Sequence, residues 1–453
     1  MSKTIKIRKG VDIKLIGQAE KVLARLDRPE VFAIKPTDFH GLIPKLVVKE
    51  GQEVKAGHVL FYDKYNERIK FTSPVSGEIA EIRRGDKRKI LEVRILADRE
   101  DRFEDFGAAD PKSLTREAVI EKMLNSGVWP LMRQRPFATI ANPDHKPKAI
   151  FVSAVDSAPL AADSNFVCKD QQNLFQKGID ALGKLTSGKV HLNVWDDSSK
   201  SSSFTGITGV QLNKFDGPHP VGNVGVQIHH LDPMNKGEVV WFLYPQDVLT
   251  VGRLFHEGHF NAKRIVALAG SEVKQTKYFE TIIGAQIKKM VAGNLNEGDN
   301  RIISGNVLTG TQIAEDGFLS FYNTLISVIP EGHEPQFFLT EGWLSPGFHK
   351  FSISKSFPSW LMPGKKYRLN TNLNGEHRAF VVTGEMEKVF PFDIYPMQLV
   401  KSIMINDIDM MEKLGIYEVD SEDFALCEFV CTSKIDIQDI VRGGLDVIQK
   451  EFA

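Results

Sequence analysis

Lys148-Ala-Ile-Phe-Val-Ser-Ala-Val-Asp-Ser-Ala-Pro-Leu-Ala-Ala-Asp163 is the stretch whose reading decides the fold. Its first half, Ala149 to Val155, is a short apolar run of the kind that forms a strand buried on both faces. Asp156-Ser157 and Pro159 then break it, as a strand does when it hands over to a loop. In an open α/β sheet, ligands collect at the carboxyl ends of the strands, so Asp156 and Asp163 mark a candidate site. The plainer alternative is local: both acids satisfy turn and cap amides of their own loop.

The flanks support a sheet. Upstream, Ser113-Leu-Thr-Arg-Glu-Ala-Val-Ile-Glu-Lys-Met-Leu124 carries a capping signal and helical spacing of Ala118, Met123 and Leu124, and stops at Asn125-Ser-Gly127. Downstream, a helix is expected from about Asp170 to Leu185, followed by a second strand over Gly188-Lys-Val-His-Leu-Asn-Val194. Strand, helix and strand in that order predict a parallel sheet. Gly222-Asn-Val-Gly225 matches a dinucleotide loop only weakly, because neither a strand before it nor a helix after it is expected.

At 453 residues the chain has room for roughly three to four domains. Hydrophobic residues at 42% and charged residues at 25% give the balance of a folded globular protein. A net charge of -1 supplies no field to gather nucleic acid. No apolar run approaches the ~20 residues of a membrane span, and Met1-Ser-Lys-Thr-Ile-Lys6 lacks a signal-peptide core. The expectation is a cytosolic chain, or one held at a membrane through a partner. Cys168, Cys427 and Cys431 cannot build a disulfide framework and suit a reducing compartment.

Near the start, Ile43-Pro-Lys-Leu-Val-Val-Lys-Glu-Gly-Gln-Glu-Val-Lys-Ala-Gly-His-Val-Leu-Phe61 alternates in polarity and is cut at Gly51 and Gly57. Phe71-Thr-Ser-Pro-Val-Ser-Gly-Glu-Ile-Ala-Glu-Ile-Arg-Arg-Gly85 adds another strand pair, so a compact all-β unit is expected. Val48-x-Glu-Gly-x-x-Val-x-x-Gly57 followed by Ser73-Pro-Val-Ser-Gly77 resembles the biotinyl/lipoyl barrel-sandwich domain, and Asp63-Lys64 is similar to its carrier pair. The hairpin is expected to turn near Asn66-Glu67, which makes Lys64 a surface strand residue and the domain a docking or spacing module. The acidic stretch that follows, through Arg102 to Asp110 and including Asp98 and Asp101, reads as a solvated linker.

In the second half, Arg264 to Ala269 is a buried strand, Ile282-Ile-Gly-Ala-Gln-Ile-Lys-Lys-Met-Val-Ala-Gly293 opens a helix, and Asn300 to Leu308 returns to strand. Gly332 to Lys388 is rich in Phe, Trp, Gly and Pro, and its Gly342-Trp-Leu-Ser-Pro-Gly-Phe-His349 reads as an aromatic covering layer. Met397 to Leu414 has helical spacing, with Leu399, Ile403 and Met404 on one side and Met410 and Met411 later, and Asp439 to Lys450 is a final amphipathic helix. Cys427 and Cys431 supply two of the four thiolates a cubane cluster takes, so reduced cysteines in helix packing are the simpler reading. His219, His229, His230, His256 and His259 lie close in sequence, but His256-Glu-Gly-His259 is not His-Glu-x-x-His. They are read as builders of tight loops, with no metal assigned.

Phe215-Asp-Gly-Pro-His-Pro-Val-Gly-Asn-Val-Gly-Val-Gln-Ile-His-His-Leu-Asp-Pro233 is the most distinctive run. With Arg253-Leu-Phe-His-Glu-Gly-His-Phe-Asn261, Arg264-Ile-Val-Ala-Leu-Ala-Gly270, Asn300-Arg-Ile-Ile-Ser-Gly-Asn-Val-Leu-Thr-Gly310 and Val328-Ile-Pro-Glu-Gly332, it resembles the A-subunit family of the Na⁺-translocating NADH:quinone reductase. That resemblance runs over essentially the whole chain. The central segment is also similar to the flavin domain of respiratory complex I and to the Rnf complex C subunit. The fold class implied is multidomain, α/β plus β: a barrel-sandwich over 1–100, a Rossmann-like α/β domain without flavin over 101–260, a β-grasp-like domain over 261–330, and a mixed β/helical C-terminal region over 331–453.

The flavin-binding relatives place a glycine-rich loop before the strand and paired glutamates after it. Here Ser126-Gly-Val-Trp-Pro-Leu-Met-Arg-Gln-Arg135 holds one glycine among bulky side chains, and Asp156 and Ala158 follow the strand. The resemblance therefore implies a lost flavin site, with Asp156 and Asp163 in a vestigial flavin loop. It implies no cofactor or metal on this chain, flavins and iron centres on other subunits, and membrane and peripheral subunits as partners at the cytoplasmic face of the bacterial inner membrane. Quinone is a candidate ligand, with Phe39-His40-Gly41 as a quinone-proximal aromatic wall and imidazole donor. The rival expectation is a stand-alone flavin-containing NADH dehydrogenase, which rests on fold resemblance alone.

Overall fold

The structure is a computed structural model that describes residues 3–333, 336–337, 339–342 and 344–451. Trp343 of the aromatic loop lies outside the described residues. Capping chemistry bounds the first long helix, α1 (Arg116–Ser126): Thr115 accepts the amide of Ala118, and Gly127 closes the far end at φ 75°. Its buried side is Val119, Ile120, Met123 and Leu124, whereas Ala118 faces solvent, so the apolar stripe starts one position later than its spacing suggests.

Next come β1 (Ala149–Ser153), α2 (Gln172–Leu185), β2 (Lys189–Trp195), β3 (Gln211–Asp216), α3 (Val224–Leu231), β4 (Val240–Leu243) and α4 (Pro245–Glu257). Every residue of β1 is buried, because strands lie on both sides of it and helices cover its faces. The four strands run parallel in the order β3, β2, β1, β4. Lys3–Lys6 adds a parallel strand beside β3, and Arg133–Arg135 and Thr139–Ile140 add antiparallel ones beyond β4, giving seven strands in all. The chain builds outward from β1 to β3 and then crosses back to β4, so the strand order switches at β1 and β4. A crevice opens at their carboxyl ends for that reason. One sequence expectation is overturned here. Gly222–Gly225 has a strand before it and a helix after it, since β3 ends at Asp216 and α3 begins at Val224.

Two glycines let α2 and α4 touch along their backbones. A Cβ on Gly178 would lie 2.3 Å from the Val248 carbonyl oxygen, and one on Gly252 would lie 2.0 Å from that of Leu174.

The barrel-sandwich pairs Val31–Ile34, Ile90–Ala97, Gly77–Arg84 and Glu53–Val54 in one antiparallel sheet and Pro44–Leu46, Val59–Asp63 and Asn66–Thr72 in another. Its hairpin turns at Lys64-Tyr65, not at Asn66-Glu67, because the Asp63 carboxylate accepts the Tyr65 amide at 3.2 Å. Lys64 is thus an exposed turn residue and not a strand residue. Asp101 is no solvated linker residue either: it takes both Arg28 guanidinium donors, at 2.9 and 2.6 Å, and the Ser76 amide.

A six-stranded mixed sheet orders Thr311–Ile313, Asn300–Ser304, Leu325–Pro330, Lys263–Ala269, Lys277–Ile282 and Leu23–Ala24. The helix expected to open at Ile282 shrinks to Lys288–Val291. The chain up to Ile282 pairs instead as a strand along Lys263–Leu268. The single helical pattern expected over Met397–Leu414 is two helices, Pro396–Met404 and Ile408–Lys413, broken at Asn406 with φ 59°. Met411 is buried while Met404 and Met410 are exposed. A last helix, α5 (Ile437–Glu451), closes the C-terminal cluster against Ile403 and Phe424.

Replacing Gly252 with alanine forces α2 and α4 apart and is expected to cost about 1–3 kcal/mol. The measurement is the thermal midpoint of the full chain, and an unchanged midpoint would contradict the close approach.

Candidate functional site

The crevice predicted by the strand order is a cavity of about 440 Å³. The α/β sheet lines it with Ser153, Asp156, His219, Asn223 and Tyr244, and with Arg133 from the antiparallel edge. The six-stranded sheet and its loops contribute Asn306 and Tyr322, the C-terminal helices Glu422, and the barrel-sandwich Thr37 and Asp38. All four parts of the fold therefore meet at one chamber.

Its electrostatics follow from burial. Asp156 is exposed on the cavity, with protein massed around the chamber. Burial pushes its carboxyl up to about 6, against a 3.2 Å hydrogen bond from the Ala158 amide. His219 is driven down to about 4 by burial alone. Ser157 Oγ lies 3.0 Å from His219 Nδ1 and accepts the Gly222 amide at 2.8 Å. This pair has the look of a nucleophile and base, but no carboxylate orients the ring among the described residues, and an imidazole with so low a pKa is a weak base at neutral pH. The pair holds the loop.

Arg133 is the cation of the chamber. Its guanidinium sits 4.4 Å from the Tyr322 ring centre, 4.7 Å from that of Phe242 and 5.4 Å from that of Tyr244. Burial pushes both tyrosine hydroxyls well above their usual range.

The N-terminus of α3 points where an anionic ligand group would sit in such a sheet. Here the chain fills that place itself. A Cβ on Gly225 would lie 2.5 Å from Asp423 Oδ2, so glycine is what lets the carboxylate reach the helix end. Asn223 Nδ2 donates to the Glu422 carbonyl at 3.1 Å. From the other side Arg135, 1% exposed, donates to Asp423 at 3.2 Å and to Glu422 at 2.6 Å. Burial, with Glu422 and Asp420 alongside, pushes the Asp423 carboxyl up to about 7 against the pull of Arg135.

Of the residues expected from sequence, Asp156 lines the chamber. Asp163 caps the short helix Ser164–Val167, accepting the Asn165 and Phe166 amides, and its neighbours Ala162 and Ser164 line the wall. Phe39 is buried behind that wall, with its ring 4.8 Å from Phe321 and 5.7 Å from Tyr322. His40 turns away to α5, where Nε2 lies 2.8 Å from Asp446, and Gly41 follows it at φ 74°. Sequence reasoning missed Arg133, Arg135, Tyr244, Tyr322, Glu422 and Asp423. The signal available for them was the charge of Arg133 and Arg135 in place of a glycine loop, together with the acidic run Asp420-Ser-Glu-Asp423.

No group of three His, Cys, Asp or Glu side chains is gathered as a metal site requires among the described residues. His229 is used structurally, donating from Nδ1 to Glu418 and accepting the Asp393 amide at Nε2. The three cysteines are buried, and burial pushes the Cys168 thiol up to about 12.

Two outcomes follow. Arg135→Met leaves Asp423 and Glu422 without their cation in the interior, at an expected cost of about 3–5 kcal/mol. It is read as faster proteolysis after Asp420, and unchanged cleavage would contradict the pairing. Asp156 has a raised carboxyl pKa when folded, so ionising it opposes folding as pH rises through about 6, by an amount that its exposure to the cavity reduces. Asp156→Asn is therefore expected to raise the thermal midpoint at pH 8 and to have little effect at pH 4.

Family models match three stretches of the chain. Residues 5–98 match the family described as NqrA N-terminal barrel-sandwich hybrid domain, residues 114–260 the NqrA second alpha/beta domain, and residues 265–315 the NQRA C-terminal domain. The chain is 37% identical to the A subunit of the Na⁺-translocating NADH-quinone reductase of Marinomonas sp., with 98% of this chain and 99% of the relative covered. It is 38% identical to those of Yersinia pestis bv. Antiqua and Neisseria meningitidis serogroup B, with 99% of this chain and 100% of each relative covered. Among solved structures, an NAD⁺-reducing nickel–iron hydrogenase in the H2-reduced state matches with a TM-score of 0.35 at 12% identity, covering 49% of this chain and 48% of that one, which carries no argument. The full-length identity does: the chain belongs to the A-subunit family of the Na⁺-translocating NADH-quinone reductase.

Proposed function

We propose that the chain is a peripheral, cofactor-free subunit of a Na⁺-translocating NADH:quinone reductase. It supports NADH-to-quinone electron transfer coupled to Na⁺ export through assembly and through shaping the quinone site. The observation that carries this reading is identity along nearly the whole length of relatives bearing that name. Its partners are the membrane and other peripheral subunits, and flavins and iron centres belong to them. Its place is the cytoplasmic face of the bacterial inner membrane. In support, no helix among the described residues is long and apolar enough to cross a membrane.

The domain reading is 1–100 barrel-sandwich, 101–260 Rossmann-like α/β, 261–330 β-grasp-like and 331–453 C-terminal. The strand order β3, β2, β1, β4 supports the Rossmann-like part. The residues at its carboxyl edge do not fit a flavin phosphate. That anion would meet the Asp423 carboxylate at the α3 terminus, with Glu422 beside it. This counts against the rival reading of a stand-alone flavin-containing NADH dehydrogenase.

Quinone proximity is assigned to the loop Phe39-His40-Gly41, between the chamber wall and α5. Its place beside the chamber supports the assignment: Phe39 packs behind Tyr322 of the wall, and the His40–Asp446 contact fixes the loop there. His40→Ala in the assembled reductase is expected to raise the KM for quinone several-fold while NADH oxidation by a soluble artificial acceptor stays unchanged. Equal loss of both activities, or of neither, would contradict the assignment.

A further inference from the structure

Between Gly342 and Gly375 the sequence carries Lys350, Lys355, Lys365, Lys366 and Arg368 and no Asp or Glu, in a chain whose net charge is -1. The only regular element within it is the short 3₁₀ turn Pro358–Leu361, among the described residues. Its base is pinned. Tyr367 is buried and exchanges backbone hydrogen bonds with Lys14 and Ile16, and Phe351 packs 5.6 Å from Tyr367 and 6.3 Å from Phe429. Its outer side is apolar and open to solvent: Leu344 is 51% exposed, Phe348 59%, Trp360 54% and Leu361 63%. The covering layer expected over Gly342–His349 includes Trp343, which lies outside the described residues.

The charges sit among these apolar groups. Arg368 is neutralised by Glu272 at 2.8 Å, but none of the four lysines makes an ion pair among the described residues. Lys355 lies over the Trp360 ring at 5.8 Å, and Lys350 over Phe357 at 5.4 Å. Ammonium groups held over aromatic rings, among exposed apolar side chains, fit a surface that accepts apolar groups and carries negative charge. Protein interfaces favour aromatic residues but exclude lysine from their cores, and it is the lysines lacking an acid partner among the described residues that select an anionic lipid surface for this face.

We propose that the segment Gly342–Gly375 docks on an anionic lipid bilayer, with Leu344, Phe348, Trp360 and Leu361 entering the headgroup region and the exposed Lys355 and Lys366 pairing with lipid phosphates. This rests on, and deepens, the peripheral placement proposed above. It gives the chain a membrane contact of its own, beside those made through partner subunits.

The test is co-sedimentation of the full chain with vesicles of phosphatidylcholine alone and with vesicles that also contain phosphatidylglycerol. Binding to the anionic vesicles only is expected, weakening as salt is raised. Lys355→Gln with Lys366→Gln should lower it by about five-fold per lysine. Trp360→Ser with Leu361→Ser should lower it further, and since all four side chains are exposed, the thermal midpoint should not move. Failure to bind anionic vesicles, equal binding to both kinds, or binding that survives both double variants would overturn the proposal. So would a segment-dependent association with purified partner subunits in the absence of vesicle binding. A chain that co-purifies with the reductase but ignores vesicles sinks this inference alone. A chain that binds vesicles but never joins the complex sinks the functional reading instead.

Discussion

Arg135 holds the molecule together at the point where function would be expected. It is almost wholly buried on the antiparallel edge of the α/β sheet, and it reaches across to Glu422 and Asp423 of the C-terminal helices. Taking a guanidinium out of water is costly unless carboxylates meet it, and each partner here would be costly alone. The result is a joint that fixes the C-terminal region against the mouth of the parallel sheet. The same joint aims Asp423 at the N-terminus of α3, where the helix dipole favours negative charge. The helix end, the arginine and the acids thus lie against one another, and the chain's own side chain stands where an anionic group would approach the helix.

That arrangement puts the chain's own acid where an anionic group would otherwise sit in an α/β sheet with a crevice at its strand switch point. Fold is weak evidence for function, and the site decides. Here the site has become a joint between domains plus a polar chamber, with Arg133 clasped by aromatic rings at its wall. The family to which the chain belongs rests on its full-length identity to named relatives, not on this site.

Much of this was legible in the sequence, and the reasons differ by element. β1 was readable because a strand covered on both faces must be apolar throughout, and the barrel-sandwich because glycine turns punctuate alternating strands. α3 was not, since the Gly, Pro and His residues before it mask the helix start, and its glycine at 225 serves Asp423 and not a nucleotide. The helix expected at Ile282 failed because pairing with the neighbouring strand overrode local propensity. The pairing of Arg135 with Asp423 spans 288 residues, a separation no local pattern reports. The aspartates were correctly suspected of capping, but the acid that matters most, Asp423, lay in a different region of the chain.

The most direct test of the account is equilibrium dialysis of the full-length chain against flavin mononucleotide, with bound flavin read by its visible absorbance. A helix terminus already occupied by Asp423 predicts no saturable binding, with flavin equal on both sides of the membrane. Retention of flavin at one equivalent per chain would contradict the account.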